Sequence, residues 1–457
     1  MSEAEFSSQA ERRRFFPYPK YKDSGVEWLG EIPEQWKFKR LKFLVSEPLA
    51  YGANEAAEII DPELPRFIRI TDIRDDGKLR DDTFRSLPRE IAIPYLLKDG
   101  DLLFARSGAT VGKAFRYNPV WGTAAHAGYL IRARLDKFRI DSHFVHYFTQ
   151  SDSYWNWIRS SLIQATIQNV SAERYSNLVI PVPVLDIQRS IVSFLDRETA
   201  KIDALIEKKE RLIGLLQEKR TALITQAVTK GLDPTVPMKD SGVEWIDQIP
   251  VHWIGLSLKR WVKIKITDGP HETPALEDEG VNFISAEAVS NGKIDFDHRR
   301  GFISQALHKL YCRKCKPVRD DILLCKSGAT TGKLAMVEVD FDFSVWSPLA
   351  LIRADTSTIL PKFLALALES NYVQDQIIRT WSAGTQPNIS MGDLEKLFVI
   401  APSIEEQRHI LKHFNLQIGG FDVIMEKIQG AIDRLKEYRT ALISAAVTGK
   451  IDIRDLS

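Results

Sequence analysis

Two long stretches of the chain repeat apolar residues at heptad spacing, and each predicts a helix of about 40 residues. The first extends from about Ile187 to Val228, with Leu195, Ile202, Leu216 and Leu223 on one stripe and Ile191, Leu205 and Leu212 on the complementary one. The second has Phe414, Phe421, Ile428, Leu435 and Leu442, with Ile410, Ile424 and Ala431. Such a stripe is often only a core face, but roughly 60 Å of helix exceeds a small domain. We therefore expect the two helices to pack as an antiparallel coiled coil, whose polar seam residues Glu198, Lys209 and Lys219 would face apolar residues or partner subunits.

The segment before each helix alternates short apolar runs with polar turns, which predicts a globular domain with both strands and helices. Strand-like runs include FIRITDI (67–73), DLLFAR (101–106) and LVIPVPV (178–184), and turn signals include DDGK (75–78) and NGK (291–293). The predicted fold class is therefore α/β of the mixed α+β kind.

The two halves of the chain repeat each other over nearly their whole length. KDSGVEW occurs at 22–28 and again at 239–245, an offset of 217 residues (239 − 22). The later matches, at similar offsets, are IPEQW (32–36) with IPVHW (249–253), GDLLFARSGATVGK (100–113) with DDILLCKSGATTGK (320–333), YLIRA (129–133) with ALIRA (350–354), TIQNVS (166–171) with TQPNIS (385–390), and KRTALITQAVTKG (219–231) with YRTALISAAVTGK (438–450). Two copies are too few for a solenoid, so the chain is predicted to be a pseudo-dimer of one duplicated unit.

The order of these elements predicts two globular domains joined by two long helices. The expected ranges are an N-terminal tail 1–19, a first domain 20–185, a first spacer helix 186–230, a second domain 231–404, a second spacer helix 405–450 and a C-terminal tail 451–457. Antiparallel helices would relate the two domains by a pseudo-twofold axis, and duplex DNA has the same dyad relation between its strands. Because roughly 60 Å spans about 17 to 18 base pairs, the domains suit two separated patches of one duplex.

Composition limits the class of protein without deciding its function. The 457 residues are 44% hydrophobic and 27% charged with three cysteines, and no apolar run is long enough to span a membrane. We read no secretion signal at the start of the chain and expect a cytoplasmic protein. The formal charge of +1 is balanced, although basic residues cluster in WKFKRLKF (36–43) and LKRWVKIK (258–265). Charge alone therefore neither supports nor excludes binding to DNA.

The SGATVGK and SGATTGK segments resemble phosphate-binding loops but depart from the Walker pattern. Three residues separate the glycines in place of four, and Ala114 or Leu334 follows the lysine in place of Ser or Thr. Three interpretations of these segments are open: a tight turn between strands, a turn that also brings Lys113 or Lys333 to a DNA phosphate, and a nucleotide-binding site, which is the least favoured. Arg106 and Lys326 occupy equal places beside a strand end, as sequence-independent phosphate contacts or as ordinary surface cations.

The sequence offers little support for a metal site or for catalytic residues. His308, Cys312, Cys315 and Cys325 contain one CxxC, but paired ligand hairpins are lacking and the first copy has Ala92, Tyr95 and Ala105 instead, so we expect no metal. His271 in DGPHETP is either a base or phosphate contact or part of a turn, whereas His126 is better explained as a satisfied or surface histidine. We expect no catalytic residues, since NPVW (118–121) lacks the second proline of an adenine methyltransferase loop and neither helicase motifs nor a nuclease carboxylate cluster is found.

The chain resembles the specificity subunits of type I restriction-modification systems. The matching elements are the two KDSGVEW…IP..W segments, here called the boxes (22–36 and 239–253), the strands before the SGAT turns, DGPHETP (268–274), the NVS and NIS segments and the two RTALI…AVT helix ends. The resemblance covers nearly the whole chain. It implies two target-recognition domains that read the halves of a bipartite, asymmetric DNA sequence. It also implies spacer helices that dock two methyltransferase subunits, with two restriction or motor subunits in the full complex. This chain would bind no cofactor, whereas the methyltransferase uses S-adenosylmethionine and the restriction subunit uses ATP and Mg.

Within that resemblance, positions equal in both halves should serve shared functions, and unequal positions in matching contexts are where bases are read. The unequal contexts are FIRITDI against FISAEAV (283–289) and PLAYGANEAA (48–57) against KITDGPHETP (265–274). The candidate DNA-binding residues are Asn54, Arg69, Thr71, Arg74, Arg106, Lys113, Lys265, Asp268, His271, Thr273, Ser285, Glu287, Lys326 and Lys333. The candidate partner-docking residues are Trp28, Trp36, Trp245, Trp253, Lys209, Arg220 and Arg439, although the tryptophans could only pin each domain to its helix. The alternatives are a coiled-coil scaffold without sequence-specific DNA binding and an enzyme such as a nucleotide hydrolase.

Overall fold

A computed structural model describes residues 15–74, 77–163, 169–243, 246–290, 292–380 and 387–454. Its contacts divide the chain into two compact units. Unit 1 comprises Met1–Lys209 with Gly430–Ser457, and unit 2 comprises Glu210–Gln429. Each long helix therefore contributes one part to each unit. Trp245 lies outside the described residues.

Unit 1 is built from short strands and short helices. Its strands are β1 (Tyr21–Asp23), β2 (Glu31–Pro33), β3 (Lys37–Arg40), β4 (Ala50–Tyr51), β5 (Arg66–Ile68), β6 (Leu102–Ala105), β7 (Ala114–Arg116), β8 (Ala124–His126), β9 (Leu130–Ala133) and β10 (Val179–Val182). Its short helices are α1 (Arg89–Ala92), α2 (Ser142–Phe148), α3 (Asp152–Ile163) and α4 (Ala172–Ser176), after which the long helix α5 (Leu185–Lys230) begins.

Unit 2 repeats this arrangement with additional strands. Its strands are β11 (Met238–Asp240), β12 (Gln248–Pro250), β13 (Ile254–Ser257), β14 (Thr267–Asp268), β15 (Val281–Ile284), β16 (Val289–Ser290), β17 (Lys293–Ile294), β18 (Gly301–Ile303), β19 (Ile322–Cys325), β20 (Leu334–Met336), β21 (Ser344–Val345), β22 (Leu349–Ile352) and β23 (Phe398–Ala401). Its helices are α6 (Gln305–Tyr311), α7 (Pro361–Glu369), α8 (Asn371–Arg379) and α9 (Met391–Lys396), followed by the second long helix α10 (Ile404–Val447).

Both units contain a four-stranded antiparallel sheet of the same order. The order is β4–β9–β6–β7 in unit 1 and β14–β22–β19–β20 in unit 2. The inner strands β6 and β19 are buried along their whole length, because LLFA and ILLC are apolar on both faces. Each unit also pairs two strands in parallel, β5 with β8 and β15 with β21. The repeat seen in the sequence therefore extends to strand order and direction.

The strand register corrects one match between the halves. Aligning YLIRA with ALIRA makes Arg132 equivalent to Arg353, and this equivalence is wrong by two residues. Leu102 faces Ala133 in unit 1, whereas Ile322 faces Ile352 in unit 2, which makes Arg134 the counterpart of Arg353. The ion pairs support the same equivalence, since Arg134 pairs with buried Asp101 and Arg353 pairs with buried Asp321. A two-residue shift keeps every side chain on its face of a sheet, so hydrophobic pattern alone could not detect it.

The long helices bury a stripe that differs partly from the heptad prediction. Ile191, Leu195 and Ile202 are buried as expected. Leu205, Leu212 and Ile424 were expected on the seam, but they are exposed by 43%, 44% and 48%. Buried Ile206 shows how the stripe shifts by one position. The reason is that a straight helix with 3.6 residues per turn drifts by roughly 20° per heptad away from a strict seven-residue repeat. Among the described helices, none combines the length and the apolar character needed to cross a bilayer.

Candidate nucleic-acid interface

The SGAT segments form tight turns between two antiparallel strands. In unit 1, Gly112 N donates to Ala105 O at 3.0 Å and Ala105 N donates to Lys113 O at 2.9 Å. Gly332, Cys325 and Lys333 form the same pair of bonds in unit 2, each at 2.8 Å. A Walker loop leads from a strand into a helix, whereas these turns lead from β6 into β7 and from β19 into β20. The turn reading is therefore correct, and it leaves Lys113 and Lys333 exposed where each turn ends.

Arg106 and Lys326 lie at equivalent strand ends, and each is held by the neighbouring edge strand. The Arg106 guanidinium lies 5.0 Å from the centroid of the Tyr51 ring, on β4. The Lys326 Nζ lies 3.1 Å from an oxygen of Asp268, on β14. Tyr51 and Asp268 occupy the same register, opposite Ile131 and Ala350. Each unit thus fixes a cation at this place by a different interaction.

The buried carboxylate of Asp268 contacts two lysines and one histidine in unit 2. Its side chain is 6% exposed, and it lies 2.5 Å from Lys314 Nζ, 3.1 Å from Lys326 Nζ and 3.3 Å from His271 Nε2. Burial alone would raise the pKa of Asp268, but the hydrogen bonds from Lys314 and Lys326 bring it below its ordinary value. The carboxylate is therefore ionised and directed inwards, while His271 remains 71% exposed above it.

Two glycines bring the first candidate loop of each unit against the parallel strand pair. A Cβ on Gly52 would overlap the carbonyl oxygen of His126, and a Cβ on Gly269 would overlap that of Val345. Because only glycine permits this approach, the residues that follow are placed beside β8 and β21. Asn54 in unit 1, with His271 and Thr273 in unit 2, is exposed in these loops.

The second candidate segment follows the parallel strand in each unit and forms one turn of 3₁₀-helix. In unit 1, Thr71 and Arg74 are exposed, but Arg69 is engaged internally. The Arg69 guanidinium donates to Asp72 at 2.7 Å and to the carbonyl of Thr83 at 2.8 Å. In unit 2, Ser285 is buried and Glu287 is exposed.

The structure thus separates the candidate DNA-binding residues into two groups. The exposed ones are Asn54, Thr71, Arg74, Lys113, Lys265, His271, Thr273, Glu287 and Lys333. The buried or half-buried ones are Arg69, Arg106, Asp268, Ser285 and Lys326. Within this set, Asp268 contacts both Lys326 and His271, and Ser285 forms a hydrogen bond with Glu287. The sequence did not single out Tyr51, although Tyr51 is equivalent to Asp268 in the repeat and could have been recognised from that. It also did not single out Lys314, Arg300 and Trp346, because these residues are distant in the chain from the residues they contact.

His126 is a satisfied core histidine, in agreement with the sequence. It is fully buried, with Nδ1 at 3.1 Å from the carbonyl of Tyr95 and Nε2 at 3.5 Å from that of Ala50. Burial lowers the pKa of His126 to about 4, because the charged imidazolium would lose its hydration.

We expect unit 1 to lose stability as the pH falls from about 6.5 to 4. As the pH falls, His126 takes up its proton in the unfolded chain, near pH 6.5, before it does so in the folded chain, near pH 4. The free energy of unfolding is therefore unaffected by this group above pH 6.5 and falls by about 3 kcal/mol towards pH 4. Denaturant unfolding of the wild-type chain and of His126→Gln, measured at pH 7 and pH 4.5, would check this. The variant should have the shallower pH dependence. His146, whose pKa burial also lowers to about 4, is common to both proteins and cancels in the comparison. Equal pH dependence of the two proteins would contradict the assignment.

The candidate docking tryptophans that the structure describes pack inside their units. Trp36 is 1% exposed and its ring lies 5.6 Å from the ring of Tyr18. Trp253 is fully buried, and its Nε1 donates to Glu406 Oε1 at 3.1 Å. Trp28 is half-buried. The burial of Trp36 and Trp253 favours the interpretation in which the rings pin each domain to its helix.

The candidate docking cations on the helices differ in their surroundings. Lys209 is half-buried. Arg220 pairs with Glu369 at 2.6 Å and with Asp422 at 3.4 Å, all within unit 2. Arg439 pairs with Asp203 at 2.9 Å and contacts the Gln150 side chain at 3.1 Å, all within unit 1. The arginines therefore hold helices to their neighbours inside each unit.

The cysteines lie in surroundings that disfavour thiolates. Burial raises the pKa of Cys315 to about 12 and that of Cys325 to about 11. Cys312 Sγ lies 3.5 Å from His308 Nε2, and His308 Nδ1 lies 2.9 Å from Ser344 Oγ. Among the residues that the structure describes, these side chains and the neighbouring carboxylates do not form a group able to hold a metal ion.

Comparison with known proteins identifies the family of this chain. The family model of the type I restriction modification DNA specificity domain matches residues 94–213 and 265–429, together more than half of the chain. The type I restriction enzyme EcoBI specificity subunit of Escherichia coli is 24% identical over 306 residues, a match spanning 65% of this chain and 64% of that protein. The putative type I restriction enzyme MjaX specificity subunit of Methanocaldococcus jannaschii is 24% identical over 439 residues, covering 93% of this chain and 96% of that protein.

A solved structure shares the fold. It comes from a study entitled "Structural basis underlying complex assembly and conformational transition of the type I R-M system", and it superposes with a TM-score of 0.57 at 18% identity. The alignment covers 92% of this chain and 99% of the other. The common fold is mixed α/β, with two domains and long helices. On the strength of the family model, the chain belongs to the family of type I restriction-modification DNA specificity subunits.

Proposed function

We propose that each unit of this recognition subunit reads one half of a bipartite, asymmetric DNA site. The observation that carries the proposal is an equal backbone frame with unequal exposed side chains. Strands β5 and β8 pair as β15 and β21 do, yet the turn that follows presents Thr71 in unit 1 and Glu287 in unit 2. A shared frame with different polar groups can present different hydrogen-bonding patterns to two half-sites.

The exposed candidates divide into backbone and base contacts under this proposal. Lys113 and Lys333, with the tethered cations Arg106 and Lys326, occupy equal places and would contact phosphates. Asn54, Thr71 and Arg74 in unit 1, and Lys265, His271, Thr273 and Glu287 in unit 2, would contact bases. Arg69, Asp268 and Ser285 would act from beneath by holding these segments in place.

The two long helices would run antiparallel and set the spacing of the half-sites. Support comes from contacts inside each unit. Arg439 of α10 pairs with Asp203 of α5 in unit 1, and Arg220 of α5 pairs with Asp422 of α10 in unit 2. Each contact in unit 2 repeats one in unit 1 with the roles of the helices exchanged, which is the relation that a pseudo-twofold axis between antiparallel helices produces.

The partners follow from the same role. Two methyltransferase subunits, which use S-adenosylmethionine, would dock on the duplicated elements and flip the target adenine out of the stack. Restriction subunits that use ATP and Mg would complete the assembly. Such a complex acts on DNA in the cytoplasm. The alternative of a coiled-coil scaffold without DNA recognition would leave the methylated motif of the host unchanged when the chain is deleted.

Exchange of one recognition domain should alter one half of the methylated motif. Residues 46–185 would be replaced by the corresponding segment of a relative, and the host methylome would be sequenced. We expect one half-motif to change and the other to persist, because the exchanged segment contains the candidate base contacts of unit 1. Exchange of residues 265–404 is the matched control and should alter the opposite half. A change in both halves after a single exchange would refute the assignment of one half-site to each unit.

Helix length should control the gap between the half-motifs. Inserting four residues beside Lys209 adds about 6 Å of helix and should lengthen the spacer by about one or two base pairs. Methylome sequencing reads the spacer directly, and both half-motifs should persist. A four-residue insertion in the segment before β1 serves as the control, with an unchanged spacer. An active complex with the original spacer after the helix insertion would exclude the role of the helices in spacing.

A further inference from the structure

Three side chains from separate segments of unit 2 form a stacked, charged cluster, here called the Arg300 cluster. Glu287 follows β15, Arg300 precedes β18 and Trp346 follows β21. The Arg300 guanidinium lies 4.4 Å from the centroid of the Trp346 ring, and its Nη1 donates to Glu287 Oε1 at 3.3 Å. The side chains of Arg300 and Glu287 are 41% and 47% exposed, so the polar face of the cluster meets solvent.

The Trp346 ring is fixed from below, which makes it a rigid support. Its indole Nε1 donates to the carbonyl of Glu272 at 3.2 Å, and its backbone N donates to Ile284 O at 2.8 Å. The carbonyl of Glu272 belongs to the loop that also carries His271 and Thr273. The cluster therefore lies where the two candidate segments for base contact meet, and a guanidinium stacked on a ring loses less freedom when it binds.

The Glu287 carboxylate is ionised at neutral pH. Burial would raise the pKa of Glu287, but hydrogen bonds from Ser285 and Arg300 bring it below its usual value. A carboxylate beside the guanidinium repels phosphate, which argues against a contact with the DNA backbone. Exposed ion pairs also contribute little to stability, so folding does not explain the arrangement.

Unit 1 has the same backbone at this place without the cluster. Ala127 N donates to Ile68 O at 2.9 Å, as Trp346 N does to Ile284 O, so Ala127 is the counterpart of Trp346. Arg66 pairs with Ser86 as Asn282 pairs with Phe302, so Ser86 and Phe302 are equivalent. The residues two positions before them, Phe84 and Arg300, are therefore counterparts. The counterpart of Glu287 is Thr71. A cluster present in one unit alone cannot serve a function that both units share.

The major-groove edge of a G·C pair has the complementary chemistry. Guanine offers the O6 and N7 acceptors that arginine contacts in a bidentate manner, and cytosine offers an N4 amino donor that a carboxylate accepts. We propose that Arg300 and Glu287 read one G·C pair in the half-site of unit 2, with Trp346 as a positioning residue for Arg300. This inference deepens the proposed function and rests on it.

The test compares the methylomes of hosts that carry Arg300→Lys, Glu287→Gln or the control Arg319→Lys. Arg319 forms an exposed ion pair with Asp340 at 2.6 Å elsewhere in unit 2, so its replacement controls for loss of a surface arginine pair. We expect Arg300→Lys and Glu287→Gln to lower discrimination at the same single G·C position roughly 5- to 150-fold, with the other half-motif unchanged. The control should retain the wild-type motif.

A motif unchanged in both cluster variants, or changes at two different positions, would overturn the inference. If Arg300→Lys abolishes methylation, binding of the purified complex to duplexes with each base pair of the half-site replaced decides the question. A loss of preference at one G·C pair supports the inference, whereas uniformly weaker binding at every position overturns it. Failure of the proposed function is distinguishable, because deletion of the whole chain would then leave the host methylome unchanged.

Discussion

Trp253→Ala should destabilise unit 2 by about 3–5 kcal/mol while leaving the sequence of any remaining methylated sites unchanged. The ring is fully buried against Phe363, with 6.4 Å between ring centroids. Its removal would open a cavity and also delete the hydrogen bond from Nε1 to Glu406. Denaturant unfolding of the purified chain measures the first effect, and methylome sequencing measures the second.

Trp253→Phe is the matched control, since it retains most of the apolar volume and deletes the indole donor. Its cost should be smaller, about 1–2 kcal/mol, because the Glu406 carboxylate can still be hydrated at its partly exposed position. Trp36→Ala should behave like Trp253→Ala in unit 1, where the ring packs against Tyr18. A relaxed or altered motif in a complex of normal stability would identify the boxes as base readers and would invalidate the rule that equal positions serve shared functions.

Asp321→Asn should destabilise unit 2 by about 3 kcal/mol, because it leaves the Arg353 guanidinium without its counter-charge in a largely buried place. The Asp321 side chain is 1% exposed and receives hydrogen bonds from Arg353 Nε and Nη2, each at 2.7 Å. Its second oxygen also accepts the backbone N–H of Val318 at 2.8 Å. The introduced amide group would turn one acceptor into a donor that faces these N–H groups. Chemical denaturation monitored by tryptophan fluorescence would measure the change.

Asp340→Asn provides the control because the Asp340–Arg319 pair is even shorter, at 2.6 Å, yet exposed. Water and salt screen that pair, so its removal should leave the free energy of unfolding nearly unchanged. Asp101 in unit 1 repeats the buried arrangement with Arg134 and should respond as Asp321 does. Equal effects from the buried and the exposed pair would mean that burial is not what makes the interaction matter.

Much of the architecture could be predicted from sequence because duplication provides an internal comparison. Matching motifs predicted which strands are equivalent, and the turns after β6 and β19 were correctly distinguished from a nucleotide loop by residue spacing. The alignment of YLIRA (129–133) with ALIRA (350–354) was wrong because a shift of two residues preserves the alternation of side chains between the two faces of a strand. The expected seam positions Leu205 and Leu212 failed because helical drift accumulates over many turns.

The candidate interface could be predicted only in outline, since residue type does not reveal what a side chain already contacts. Arg69 is a plausible reader by type, but Asp72 and the carbonyl of Thr83 engage its guanidinium. Asp268 is likewise directed inwards, towards Lys314 and Lys326. Apart from the local Arg69–Asp72 pair, these contacts join residues that are 14 to 58 positions apart, and no local pattern encodes them.

The sequence by itself determined the duplication, the mixed strand and helix content, the two long helices and the positions at which the two halves differ. These properties follow from local periodicity and from direct comparison of one half with the other. The tertiary structure alone decided the strand register, the burial of Trp36 and Trp253, and the meeting of Glu287, Arg300 and Trp346 in one cluster. The physical reason is that hydrogen bonds, ion pairs and ring contacts act over a few ångströms in space, whereas residues that meet at such distances can lie far apart along the chain.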